Sequence, residues 1–111
     1  MFVKLYSYHI KSDKEEEYLK IQQEAEGIYS RFIDEKTLHL QSKTDKTKWL
    51  EIHIYKNEKI YNDSIQIINQ QPEIQVLYKR FLEVITSVEE MAEEDYQLSD
   101  FLGGKQDWGL R

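Results

Sequence analysis

The chain has 111 residues, 40% of them hydrophobic and 32% charged, which suits one globular domain with a modest core and excludes an intrinsically disordered chain. Fifteen basic against 21 acidic residues give a net charge of −6, so nucleic acid, which needs a basic surface to displace phosphate counterions, is not an expected partner. With no cysteine, a disulfide framework and thiolate chemistry are excluded; no apolar run approaches the length of a membrane span, so no membrane partner is expected.

The opening MFVKLYSYHI lacks the charged-then-apolar pattern of a signal peptide, and a cytoplasmic location is expected. Its β-branched and aromatic residues predict a first strand over Phe2 to Ile10. Val3 and Leu5 share one face, and Phe2, Lys4, Tyr6 and Tyr8 the other. Ser12-Asp13-Lys14-Glu15 has the capping-box form and predicts the start of a helix. Tyr18, Ile21, Ala25, Ile28, Tyr29 and Phe32 then recur at three and four residues, giving that helix one apolar stripe.

Thr37 to Lys43 reads as a second strand and Thr47 to Lys56, TKWLEIHIYK, as a third. The short polar turn between them predicts an antiparallel hairpin. Asn57 to Gln71 reads as a second helix, with Tyr61, Ile65 and Ile68 as its stripe. Pro72, the single proline, suits the first turn of a further helix carrying Ile74, Leu77, Phe81, Val84, Ile85 and Val88. A short fourth strand is expected over Asp95 to Phe101, with continuation of the helix as the alternative. Gly103-Gly104 breaks regular structure, and residues 103–111, with Trp108 and Leu110, form a tail after a domain spanning 1–102.

The order strand, helix, strand, strand, helix, strand is that of a ferredoxin-like α+β domain, an antiparallel sheet with its helices on one face. Val3, Leu5, Leu38, Leu40, Leu50, Ile52 and Ile54 are expected to face the helices. The opposite face then holds Phe2, Lys4, Tyr6, Tyr8, His39, Gln41, Trp49, Glu51, His53 and Tyr55, an aromatic-polar surface expected to meet another protein chain.

The element order, the KWLEIHIY third strand and the QQPEIQVLYKRFLEVI helix resemble the dimeric α/β-barrel superfamily, nearest to its antibiotic-biosynthesis-monooxygenase-like group, over roughly the first 88 residues. The resemblance implies a homodimer in which two sheets pack face to face as a barrel, with the helices outside. It also implies pockets between helices and sheet. Haem-degrading members have a helix histidine that ligates iron; no helix predicted here carries one, which argues against haem. Cofactor-free members place Asn, Trp and Tyr or Arg near the substrate, a part open here to Trp49 and the tyrosines. The uncertain fourth strand is the main departure from the family pattern.

No phosphate loop, metal-spaced cluster or nucleophile elbow is present. His39, His53 and Glu51 are three metal-capable groups on one face, but the reading preferred is hydrogen-bonded histidines, with no metal and no cofactor. Glu51, His53, Tyr6, Tyr55 and Trp49 are the candidate catalytic residues, since a carboxylate and an imidazole buried together suit acid–base work. A polar network that fixes subunit register is the plainer alternative. Tyr8, His39, Tyr29 and Tyr61 are candidate contacts for a small apolar or aromatic ligand. The expected function is thus a cofactor-independent monooxygenase-like enzyme or a binder of such a molecule. The alternatives are a non-catalytic dimeric module, or an adaptor using the acidic stretch from Glu89 to Asp100; that stretch, read plainly, is a solvated helix face.

Overall fold

The alternation that opens the chain produces β1 (Phe2–His9), the strand at the heart of a four-stranded sheet in this computed structural model, which describes residues 1–99. After it come α1 (Glu15–Tyr29), β2 (Glu35–Gln41), β3 (Lys48–Tyr55), α2 (Glu58–Asn69), α3 (Pro72–Val84), a single 3₁₀ turn (Val88–Glu90) and β4 (Ala92–Gln97). The strands lie in the order β2-β3-β1-β4, every neighbour antiparallel, with the three helices on one face. This is the expected ferredoxin-like α+β arrangement. The expected tail (103–111), its glycine pair, Trp108 and Leu110 lie outside the described residues.

The helix cap and several boundaries differ from the sequence reading. The capping box does not form: the Lys14 N–H donates to Lys11 O at 2.9 Å, and Lys14 itself stands at the N-cap with no side-chain bond to the helix. Glu15, Glu16 and Glu17 in the first turn face the positive end of the helix dipole instead. β2 starts two residues early, at Glu35. α3 ends at Val84, because Ile85 turns extended and bridges Ile10, while the Thr86 N–H donates to His9 O at 2.9 Å. β4 runs from Ala92 rather than Asp95, so the acidic stretch is an edge strand over Ala92–Gln97, with Glu89 and Glu90 in the 3₁₀ turn before it; Asp100 and Phe101, the expected end of that strand, lie outside the described residues. Asn57 does cap α2, its side chain accepting from the Ile60 N–H at 2.8 Å, and Pro72 opens α3 as expected.

The larger correction concerns the faces of the sheet. Tyr8, Trp49 and Tyr55 are buried against the helices, with Tyr18, Ile21, Leu77 and Phe81 packed over or beside them. The aromatic-polar face is therefore the helix-covered one. Val3, Leu5, Leu38, Leu40, Leu50, Ile52 and Ile54 point away; none of them is buried, and Leu40 is 47% exposed. The period-2 alternation separated the two sets, but it does not say which set meets the helices. Taking the aliphatic set as the inner one assumed that a single chain covers its own apolar sheet face.

Candidate functional site

β1, β2 and β3 present Tyr6, Tyr8, Glu35, Thr37, His39, Glu51, His53 and Tyr55 to the helices. The pairing register sets Tyr6 opposite Glu51 and His39 opposite Glu51, so these side chains converge from three adjacent strands. Above them α1, α2 and α3 leave a cavity of about 710 Å³, roofed by residues such as Ile21, Ala25, Tyr29, Tyr61, Leu77 and Phe81. Its volume falls in the range of roughly 300–1,000 Å³ usual for small-molecule sites. A smaller hollow of about 370 Å³ beside the α1–β2 connection shares Glu26, Glu35 and Thr37 with it.

At the floor lies a charged network. His53 Nε2 donates to Glu51 Oε2. Glu51 Oε1 accepts from the Tyr8 hydroxyl at 2.6 Å, and the Tyr8 and Tyr18 hydroxyls are 2.6 Å apart. Since Tyr8 gives its proton to Glu51, Tyr18 is the donor in that second bond. On its other side His53 Nδ1 meets Thr37 Oγ1 at 3.2 Å and Glu35 Oε2 at 3.4 Å. The Glu35 contact is electrostatic: Oε2 is buried and accepts no hydrogen bond. His39 Nε2 meets Gln22 Oε1 of α1 at 3.1 Å.

Burial disfavours charge on His53, but the flanking carboxyl groups of Glu35 and Glu51 outweigh it and raise the imidazole to about 9. Burial likewise opposes ionisation of Glu51, yet His53 and Tyr8 hold its carboxyl below the usual range. At neutral pH the floor holds an imidazolium paired with the Glu51 carboxylate, with Glu35 on its other side. Burial lowers the pKa of His39. Burial, with nearby carboxylates, raises the hydroxyls of Tyr6, Tyr8, Tyr29 and Tyr55, which stay protonated as neutral donors.

Of the candidate catalytic residues, Glu51, His53, Tyr6 and Tyr55 line the cavity, as do the candidate ligand contacts Tyr8, His39, Tyr29 and Tyr61. Trp49 does not. It packs on Tyr18, ring centroids 4.9 Å apart, and its buried indole N–H has no acceptor. Sequence reasoning missed Glu35 and Thr37, the groups on the far side of His53. Extending the alternation of His39 and Gln41 back through Thr37 to Glu35 would have found both. No group of three or more His, Cys, Asp or Glu among the described residues is arranged to hold a metal ion, and no helix among them is long and apolar enough to cross a membrane.

No protein-family model matches the chain, and no curated protein is similar enough in sequence to count as a match. Solved structures do match in fold. An uncharacterised NIPSNAP domain protein from Burkholderia xenovorans superposes with a TM-score of 0.73 at 17% identity, covering 91% of this chain and 97% of that one. A putative antibiotic biosynthesis monooxygenase from Nitrosomonas europaea gives 0.68 at 16%, covering 87% and 97%. The chain shares its fold with these proteins. SnoaB, a cofactor-independent oxygenase from Streptomyces nogalater, matches at 0.72 with 8% identity over 92% of this chain and 96% of that one. Identities this low carry the fold alone and leave the chemistry to the residues of the cavity.

Proposed function

We propose that this protein is a homodimeric, cofactor-independent oxygenase that binds a small aromatic molecule in the helix-covered cavity. The observation that carries the reading is the cavity itself: about 710 Å³, walled by tyrosine and aliphatic side chains, with one charged network on its floor. Apolar walls with a few convergent polar groups are the usual form of a small-molecule site. The oxygenase among the fold relatives lends the reaction class.

The chemistry needs a substrate methylene made acidic by flanking aromatic rings or a carbonyl. Glu51, ionised and facing the cavity, takes the proton, and the positive charge of the His53 imidazolium, whose ring nitrogens stay with Glu51 and Thr37, favours the resulting enolate. The electron-rich carbon then reacts with molecular oxygen. Overall the CH₂ becomes C=O, one oxygen atom enters the carbonyl, and the other leaves as water with the two hydrogens. Tyr6, Tyr55 and Tyr8 orient the substrate. The open aliphatic face of the sheet is covered by a second copy of the chain, which closes the barrel.

Anthrone, a tricyclic ketone with an acidic methylene, is a suitable probe. Binding is measured by calorimetry under nitrogen and turnover by oxygen uptake. Wild-type protein is expected to bind it and consume oxygen, with Glu51→Gln slowing uptake about 10²-fold or more. Binding without uptake would reduce the protein to a binder, and no binding would remove the cavity as a ligand site.

A further inference from the structure

The floor of the cavity is unbalanced in charge and in hydrogen bonding. Glu35 lines the cavity with a side chain only 6% exposed, yet its Oε2 accepts no hydrogen bond. A buried carboxylate oxygen without a donor is unfavourable. His53 does not cure this, since one imidazolium stands between two carboxylates and already serves Glu51. Elsewhere the lining adds the carboxylates of Glu26 and Glu93 and, as a cation, Lys79. Lys4, the buried lysine next to Tyr61, is committed to Glu93 at 3.0 Å and Asp95 at 2.6 Å.

Around Glu35 the walls are aromatic. Tyr29 and Tyr55 lie close enough to feel its charge, and the Tyr55 ring sits 4.9 Å from that of Tyr61. Ring faces beside a carboxylate form a setting for a cation, which both the π-electrons and the carboxylate attract. Tyr61 already shows this with the Lys4 ammonium 5.1 Å from its centroid. An anionic group placed beside Glu35 would meet the opposite field.

We propose that the molecule this cavity takes is an aromatic amine, bound as its cation with the ammonium group held by Glu35 among Tyr29 and Tyr55. The inference rests on the cavity being a ligand site and adds the class of ligand. It is tested by calorimetry with three probes that differ in one group: 2-naphthylmethylamine, 2-naphthylmethanol and 2-naphthoic acid. The amine is expected to bind about tenfold or more tighter than the alcohol, with the acid weakest. Glu35→Gln should bring the amine down to the affinity of the alcohol, with a circular dichroism spectrum matching the wild type to show that the variant is folded. Glu35→Asp, which keeps the charge, should retain the preference. Equal binding of amine and alcohol, or a preference that survives in Glu35→Gln, overturns the amine assignment while the cavity stands as a ligand site. Failure of all three probes to bind overturns the cavity reading and this inference with it.

Discussion

His53 is the residue on which the site turns, and its stability contribution has a defined pH window. Folded, it titrates near 9 rather than at its ordinary 6.5. The folded state thus holds the proton more tightly than the unfolded chain. The stabilisation is fully present below pH 6.5 and is lost as pH rises through about 9. The difference is worth up to about 3 kcal/mol, and the lowered Glu51 carboxyl reports the same ion pair, so it is counted once. Urea denaturation is expected to show stability falling between pH 7 and 9.5, and His53→Gln should flatten that limb. An unchanged slope in the variant would mean the pair contributes nothing. Tyr8 gives a second test, because it links Glu51 to Tyr18. Tyr8→Phe leaves a buried hydroxyl and a carboxylate oxygen short of a partner and should cost about 1–3 kcal/mol; adding Tyr18→Phe should cost less than the sum of the single changes. The composition of this site was legible in the strand alternation, since Tyr6, Tyr8, Glu51, His53 and Tyr55 share one face by parity alone. Glu35 shares that parity but was missed, because it lies before the residues that looked like a strand. The place of Trp49 in the packing rather than in the cavity depends on where α1 crosses the sheet, which parity does not encode.

At the scale of elements, β4 is the least protected part of the sheet. All six of its residues are exposed, so little apolar burial holds it. What does hold it is the ladder to β1 and the buried Lys4 ammonium, which reaches across to Glu93 and Asp95. Lys4 is 7% exposed at its side chain while its partners are about half exposed. Removing the lysine therefore frees the acids to solvent at little cost, but leaves the edge strand without its clamp. In Lys4→Met, hydrogen exchange of the amides in Ala92–Gln97 is expected to accelerate, with β2 and β3 unchanged. Uniform acceleration across the sheet would show that Lys4 supports the whole fold instead. The sequence marked a fourth strand three residues too late for a related reason: AEEDYQ has an edge strand's charge and no apolar alternation, so only pairing with β1 defines it. Long apolar stripes made α1 and α3 plain, whereas the Ser12 capping box failed because the turn closed by Lys11 and Lys14 uses the backbone instead.

At the scale of the molecule, the parity of the strands fixed two faces but not their roles, and the reversal has a physical consequence. The helices cover the face rich in tyrosine and charge, where shape and polarity leave a cavity. The aliphatic face, from Leu38 and Leu40 through Leu50, Ile52 and Ile54 to Leu5 and Val3, has no helix over it. Exposed apolar surface of this continuity is unfavourable in water and marks an interface. Ile52 is the place to test it, since on β3 it pairs with Leu5 on one side and Leu38 on the other. A lysine there would put a charge at the centre of the proposed interface while leaving the helix-side core intact. Sedimentation velocity at micromolar concentration should show a dimer for the wild type and a monomer for Ile52→Lys. Circular dichroism and the pH dependence of stability from pH 7 to 9.5 should be the same in both, because the His53 network lies on the other face. A wild-type monomer would mean that the aliphatic face is covered by something other than a second copy. A dimer that survives Ile52→Lys would place the contact elsewhere on the molecule.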